Sequence, residues 1–170
     1  MRAFVLVVSA LLLCAAASQA RQAKPTVYCT AKVNSLGCTP QIGFIGAPSA
    51  SAASGFEVTV VQVRNRRRGL LFYCISGRAA LPFLGGTLCI APGNVRRTPQ
   101  MNTGGTPIYA DCSGMVKVDM NAFAAGLAGG HPLPELKQAG TVVNCQYWHR
   151  DKHSTANSSL SDALEYTIEP

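Results

Sequence analysis

Phe56–Ile75 reads FEVTVVQVRNRRRGLLFYCI, and this stretch decides the fold class. Phe56, Val58 and Val60 alternate with Glu57 and Thr59, the two-residue period of a strand with one face buried. Val61 and Val63 then take over the apolar phase, which predicts a bulge near Val60–Val61. Arg64 to Gly69 reads as a charged turn, and Leu70 to Ile75 as a mostly buried strand. Together they predict a hairpin with a longer loop.

The same signal recurs on both sides. Val27–Val33 reads as a first strand, and Thr39–Gly55 as an irregular crossing segment or a weak strand around Ile42–Ile45. Leu81–Gly86 reads as a Pro/Gly bend, Thr87–Ala91 as a short strand and Pro92–Pro107 as loop. Met115–Met120 alternates as a half-buried strand. Asn121–Leu127 (NAFAAGL) alone looks helical, closed by Gly129-Gly130. Thr141–Trp148 and Ala163–Ile168 read as the last strands. Turn residues separate the strands, and neither a long amphipathic helix nor a βαβ alternation appears. The expected class is all-β, an antiparallel β-sandwich with at most one short helix.

The N-terminus sets the compartment. Arg2 precedes the apolar run Phe4–Ala17, and Ser18-Gln19-Ala20 ends it with small residues where a signal peptidase cuts. Residues 1–20 read as a signal peptide, with Leu13 before Cys14 disfavouring a lipid anchor. Residues 21–170 read as a single disulfide-stapled domain, secreted or at the cell surface, with the periplasm as the other destination. No later run is long and apolar enough for a spanning helix, so no membrane association is expected after signal removal. Without Arg2, fourteen Lys and Arg stand against eight Asp and Glu, a formal charge of +6.

Six cysteines remain: Cys29, Cys38, Cys74, Cys89, Cys112 and Cys145. An even number in an exported chain predicts disulfides, with fifteen pairings open. Cys29–Cys38 would close a short Gly-containing loop, and Cys89–Cys112 would tie the base of a Pro/Gly/Asn-rich excursion. Cys74 and Cys145 would link two strands or stay as buried thiols. Zinc needs Cys pairs at C-x-x-C spacing, and none exists.

The candidate ligand residues are Arg64, Arg66, Arg67 and Arg68, with Arg96 and Arg97 on another loop, and Trp148. The arginines suit sulfated or uronic polysaccharide, or else form a solvated loop. Nucleic acid is not expected, because aromatic stacking platforms do not accompany the arginines. Trp148 suits sugar stacking, or sits in the core; Tyr147 points to the opposite face. His149 and His153, four apart around Asp151, read as exposed and uncoordinated. Asp111, Asp119, Asp151 and Asp162 are scattered, without the loop spacing calcium needs. Asn157-Ser158-Ser159 is a formal glycosylation sequon. Ser76 and Ser113 have no assigned base, and no G-x-S-x-G or H-E-x-x-H motif occurs. No cofactor, no metal and no catalytic residue is expected.

Several blocks share an order with one family: YCTAKVNSLGCTP (Tyr28–Pro40), GLLFYCISGRAALPFLGGTLCI (Gly69–Ile90), VRRTP (Val95–Pro99), Asp111-Cys112-Ser113-Gly114, QYWHRD (Gln146–Asp151) and LSDALEYTI (Leu160–Ile168). Taken together they resemble an exported domain of unassigned function common in extracellular proteins of planctomycetes and similar bacteria. The resemblance implies a secreted, non-catalytic β domain and carries no ligand-binding residues. In such sequences the Tyr-Trp-x-Arg-Asp step looks structural, which implies that Arg150 pairs with Asp151 across a turn. The expected function is a non-catalytic structural or adhesion-type domain meeting a cell-surface protein; the alternative is a module for anionic polysaccharide, and the second alternative a small hydrolase with an unrecognised site. Oligomeric state is not legible.

Overall fold

A computed structural model describes residues 24–170; the expected signal peptide, with Cys14, lies outside the described residues. The strands run β1 Thr26–Tyr28, β2 Gln41–Gly46, β3 Phe56–Val63, β4 Arg68–Cys74, β5 Arg78–Phe83 and β6 Gly86–Ile90. Then come β7 Arg96–Arg97, β8 Met101–Asn102, β9 Gly114–Asp119, β10 Val142–Arg150 and β11 Ser158–Thr167. One short helix, α1 Met120–Ala124, follows β9, with the Asp119 side chain capping it by accepting from the Ala122 amide. The fold is all-β with antiparallel sheets, as the alternating patterns predict.

The strands form three layers. The largest sheet has the order β1-β11-β10-β4-β7, with β8 also paired to β4. A three-stranded sheet, β2-β3-β9, packs on its inner face. The hairpin β5–β6 covers part of its outer face. The main core lies between the two larger sheets, where Phe56, Val58 and Val60 of β3 meet Leu71 and Tyr73 of β4 and Cys145 and Tyr147 of β10. Phe56 meets Tyr166 edge-on, ring centroids 4.7 Å apart. Each fully buried Phe or Leu here is worth about 1.5–3 kcal/mol.

The bulge lies where the phase change predicts. Pairing of β3 with β9 shifts between Val60 and Val63, and Gln62 sits at φ 56°. The extra residue returns Val63 to the core while Val61 stays exposed.

Several expectations need correction, among them the loop Pro92–Pro107, which carries β7 and β8 paired to β4. Phe56–Ile75 is not a hairpin: β3 and β4 belong to different sheets. The connecting backbone bonds to residues 103–111 instead of to itself. The Asn65 amide donates to the Asp111 carbonyl, the Arg66 amide to Gly104, and the Thr103 hydroxyl to the Arg64 carbonyl. Strand β4 is buried on both faces because it lies in the middle layer, which is why its residues read as a continuous apolar run.

Leu81–Gly86 is not a bend between separate elements but the closed end of the hairpin β5–β6. Leu84 and Gly85 both have positive φ (49° and 73°), as the favoured two-residue hairpin turns require. Leucine is not the residue that announces such a turn, so the signal was hidden. Pro82 is tolerated because β5 pairs on one side only.

The first strand ends early. β1 stops at Tyr28 because Cys29 turns to φ 70°. Residues beyond it are held by side chains, with Lys32 Nζ donating to the carbonyls of Leu84 (2.6 Å) and Ser158 (2.8 Å).

The disulfides are Cys29–Cys89 and Cys38–Cys112, not the local pairs expected. Both span long sequence separations, because tertiary packing decides which thiols meet. The first ties β1 to the covering hairpin. Cys74 and Cys145 are buried thiols, one of the two outcomes left open for them. Cys145 lies opposite Tyr73, and Cys74 opposite Asn144, so their side chains leave opposite faces of the sheet. No bridge can join them without a register slip. Two disulfides, and the lack among the described residues of a helix long and apolar enough to cross a membrane, are compatible with an extracellular protein.

Candidate functional site

The outer face of the large sheet is covered over one half only. Arg78 of β5 makes a two-pronged ion pair with Glu165 of β11, at 2.8 and 2.7 Å, and lies over the Tyr28 ring. Gln146 of β10 is the central clasp. Its Oε1 accepts from the Cys89 amide at 3.0 Å, and its Nε2 donates to the carbonyls of Thr87 and Ser161 at 2.9 and 2.8 Å. With Cys29–Cys89, these contacts hold the hairpin over Cys74, Gln146 and part of Phe72.

The half left open is basic. Arg68, in phase with the buried Leu70 and Phe72, projects onto this face from β4, and Trp148, opposite Leu70, shares it with Arg150 from β10. Lys152 follows Arg150 beyond the strand end. The result is a cleft of about 320 Å³ floored by Trp148 and walled by Arg66, Arg67, Arg68, Arg150 and Lys152, with Gln100 at its rim. Five cations and no carboxylate line it.

Two neighbouring hollows adjoin. One, of about 330 Å³, shares Arg66 and Arg67 with the cleft and runs to Tyr109; the other, of about 300 Å³, shares Arg68 and Gln100 and runs to Asn102.

The local chemistry favours anions. Arginine predominates, and its planar fork matches carboxylate, sulfate or phosphate oxygens better than a point charge does. Arg150 lies over Trp148, its guanidinium carbon 5.9 Å from the ring centroid. Trp148 is half-buried, and its Nε1 is buried with no hydrogen-bond partner, as is Arg67 Nε.

The structure brings together Arg66, Arg67, Arg68 and Trp148 and separates off the other candidates. Arg64 is removed from the ligand set: it is buried, its Nη1 2.8 Å from Asp151 Oδ1 and 2.7 Å from Ser35 Oγ. Arg97 lies over Phe72 at 5.6 Å, on the same face but outside the cleft lining. Arg96, opposite Tyr73 on β4, faces the other way. Trp148 is not the core residue of its pair; Tyr147 is, because it shares the face of Leu71 and Tyr73.

Arg150 and Lys152 were missed. The expected pairing of Arg150 with Asp151 does not form, since Asp151 turns inward to Arg64 and Arg150 stays with Trp148. The usable signal was the alternation Trp148, Arg150, Lys152 past the expected strand end.

His149 is fully buried, correcting its expected exposure, and stacks on Tyr147 with ring centroids 6.0 Å apart. Burial pushes its pKa down to about 4; the Asp151 charge opposes this, while Arg64 and Arg67 add to it. His153 is exposed. Burial alone would raise the Asp151 carboxyl. Bonds from the Ser35 hydroxyl and amide, and from Arg64, outweigh it and hold the group below its ordinary range.

The remaining candidates act locally. Asp119 caps α1, Asp162 accepts from the Ile42 amide at 2.7 Å, and Asp111 accepts from the Ser113 hydroxyl at 2.6 Å. The Ser76 hydroxyl donates to the Gly93 carbonyl. No group of three or more His, Cys, Asp or Glu placed to hold a metal occurs among the described residues.

Fold and site together define a class: a disulfide-stapled all-β domain with a half-covered sheet face and a basic, tryptophan-floored cleft. No protein-family model, no curated protein and no solved structure matches the chain.

Proposed function

We propose that this is an exported binding domain whose outer-face cleft takes an anionic polysaccharide. One observation carries the reading: five cations converge around an aromatic floor with no carboxylate among the lining residues. Like charges crowded in this way repel one another, and a polyanion relieves that repulsion while gaining charge-assisted hydrogen bonds. Trp148 supplies an apolar surface for the C–H face of a sugar. The expected leader sequence and the two disulfides support export.

The test compares binding of polyuronate, sulfated and neutral polysaccharides at low and high salt. Arg68→Ser/Arg150→Ser/Lys152→Ser serves as the charge-depleted variant. Binding to the acidic polymers, weakened by salt and by the substitutions, is expected. Absence of binding to every acidic polymer overturns the reading. A structural or adhesion role is the second reading, and β2 supports it. This edge strand pairs on one side only and carries the exposed Phe44 and Ile45, a surface on which a protein partner could add a strand.

A further inference from the structure

We propose that the cleft is the middle of a longer track that takes an acidic glycan as an extended chain, held between two aromatic contacts, Trp148 and Tyr109. The inference rests on the polysaccharide reading above and deepens it from one binding point to a chain of subsites.

Three hollows form the track in series. Arg66 and Arg67 belong to both the Tyr109 hollow and the Trp148 cleft, and Arg68 and Gln100 to both the cleft and the hollow at Asn102. No Asp or Glu lines any of the three. A small anion needs one pair of guanidinium groups, and would leave both ends of such a track unused. A chain of acidic sugars alternates apolar C–H faces with charged substituents, and from Tyr109 past Arg66 and Arg67 to Trp148 and Arg68 the track places rings and arginines in the same order.

Tyr109 is 64 % exposed and Ile108 85 %, in a loop that is held firmly. The buried Asn65 side chain donates to the carbonyls of Thr106 (2.5 Å) and Tyr109 (2.7 Å) and accepts from the Asp111 amide (3.1 Å). Arg66 Nη1 donates to the Pro107 carbonyl at 2.7 Å, and Cys38–Cys112 anchors the chain just beyond. Buried polar groups thus hold a large aromatic side chain in water. Folding gains little from that placement, whereas a ligand running past Arg66 and Arg67 gains a stacking surface.

The experiment is calorimetric titration of the intact protein with sulfated and uronic oligosaccharides of increasing length. Wild type is compared with Tyr109→Ala, Tyr109→Phe and Trp148→Ala. In the wild type, long chains should bind at least about tenfold more tightly than short ones. Tyr109→Ala should erase that gain, and Tyr109→Phe should retain it. Because Tyr109 is exposed, its variants should melt with the wild type, which excludes a folding artefact.

Length-independent affinity, with Tyr109→Ala neutral and Trp148→Ala still weakening, would sink the track and leave the single-cleft reading standing. Failure of every acidic oligosaccharide to bind would sink both. Capture by anionic phospholipid vesicles in place of the oligosaccharides, lost in Tyr109→Ala, would also overturn the track and make the loop a membrane contact.

Discussion

Arg64 Nη1 and Asp151 Oδ1 lie 2.8 Å apart, with side chains only 6 % and 0 % exposed, and they join the β3–β4 crossing to the turn after β10. One arginine of the cluster is thus structural, while Arg66 and Arg68 are exposed. Removing one partner of a buried pair strands the other charge. Arg64→Met is expected to destabilise the fold by about 3–5 kcal/mol. Arg64→Met/Asp151→Leu should cost less than the sum of the single changes, though not recover fully, because Asp151 also accepts from the Ser35 amide and hydroxyl. Urea unfolding of the four proteins checks this. Additive losses would mean that the pair is not coupled.

His149 makes stability depend on pH. Its pKa is near 4 in the fold and near 6.5 when unfolded, so between those values the unfolded chain binds more protons. Stability is therefore full above about pH 6.5 and falls as the pH drops towards 4, by about 3 kcal/mol. Asp151, held below its ordinary range, adds a further loss at lower pH, as the carboxylate is protonated. His149→Phe should flatten the curve between pH 4 and 6.5 and leave the acidic limb. An unchanged curve would place the titration elsewhere.

The thiols divide two ways. Alkylation of the unreduced, unfolded protein should label Cys74 and Cys145 and spare Cys29, Cys38, Cys89 and Cys112. Bridges closing loops this long are each worth about 4 kcal/mol in the chain-entropy account. Cys29→Ser/Cys89→Ser should lower the urea midpoint accordingly. Labelling of all six would show the staples absent.

Gln146 should be the most sensitive neutral polar residue. Gln146→Leu leaves the Cys89 amide and the Thr87 and Ser161 carbonyls short of a partner in a buried site, at about 1–3 kcal/mol for each group left unpaired. The hairpin should loosen first. Hydrogen exchange at β5 and β6 should quicken before that of β10, and uniform quickening would contradict the clasp.

Much of this architecture is legible along the chain. Phe56, Val58 and Val60 announce β3 by alternation, and the phase change announces its bulge. The alternation of Val116 and Val118 gives β9, and the apolar run from Leu70 gives a doubly covered β4. The site is legible as ingredients: Arg66, Arg67, Arg68 and Trp148 stand out by residue type, but nothing local says that they meet. Arg64 differs from its neighbours only through Asp151, which lies far along the chain.

Strand existence and face are local properties, since they follow from side-chain alternation and turn chemistry within a few residues. The amino-acid sequence by itself therefore determined an all-β chain, its inward and outward positions, and an excess of cations over acids. Sheet membership, cysteine pairing and the exposure of each arginine depend on which distant strands dock. Only the tertiary structure placed β3 and β4 in separate sheets, joined Cys29 to Cys89, and left Trp148 half-buried among arginines. The physical reason is that backbone pairing is generic to every strand. The choice of partner rests on packing such as Tyr73 against Phe123 and on clasps such as Gln146, whose participants come from remote parts of the chain.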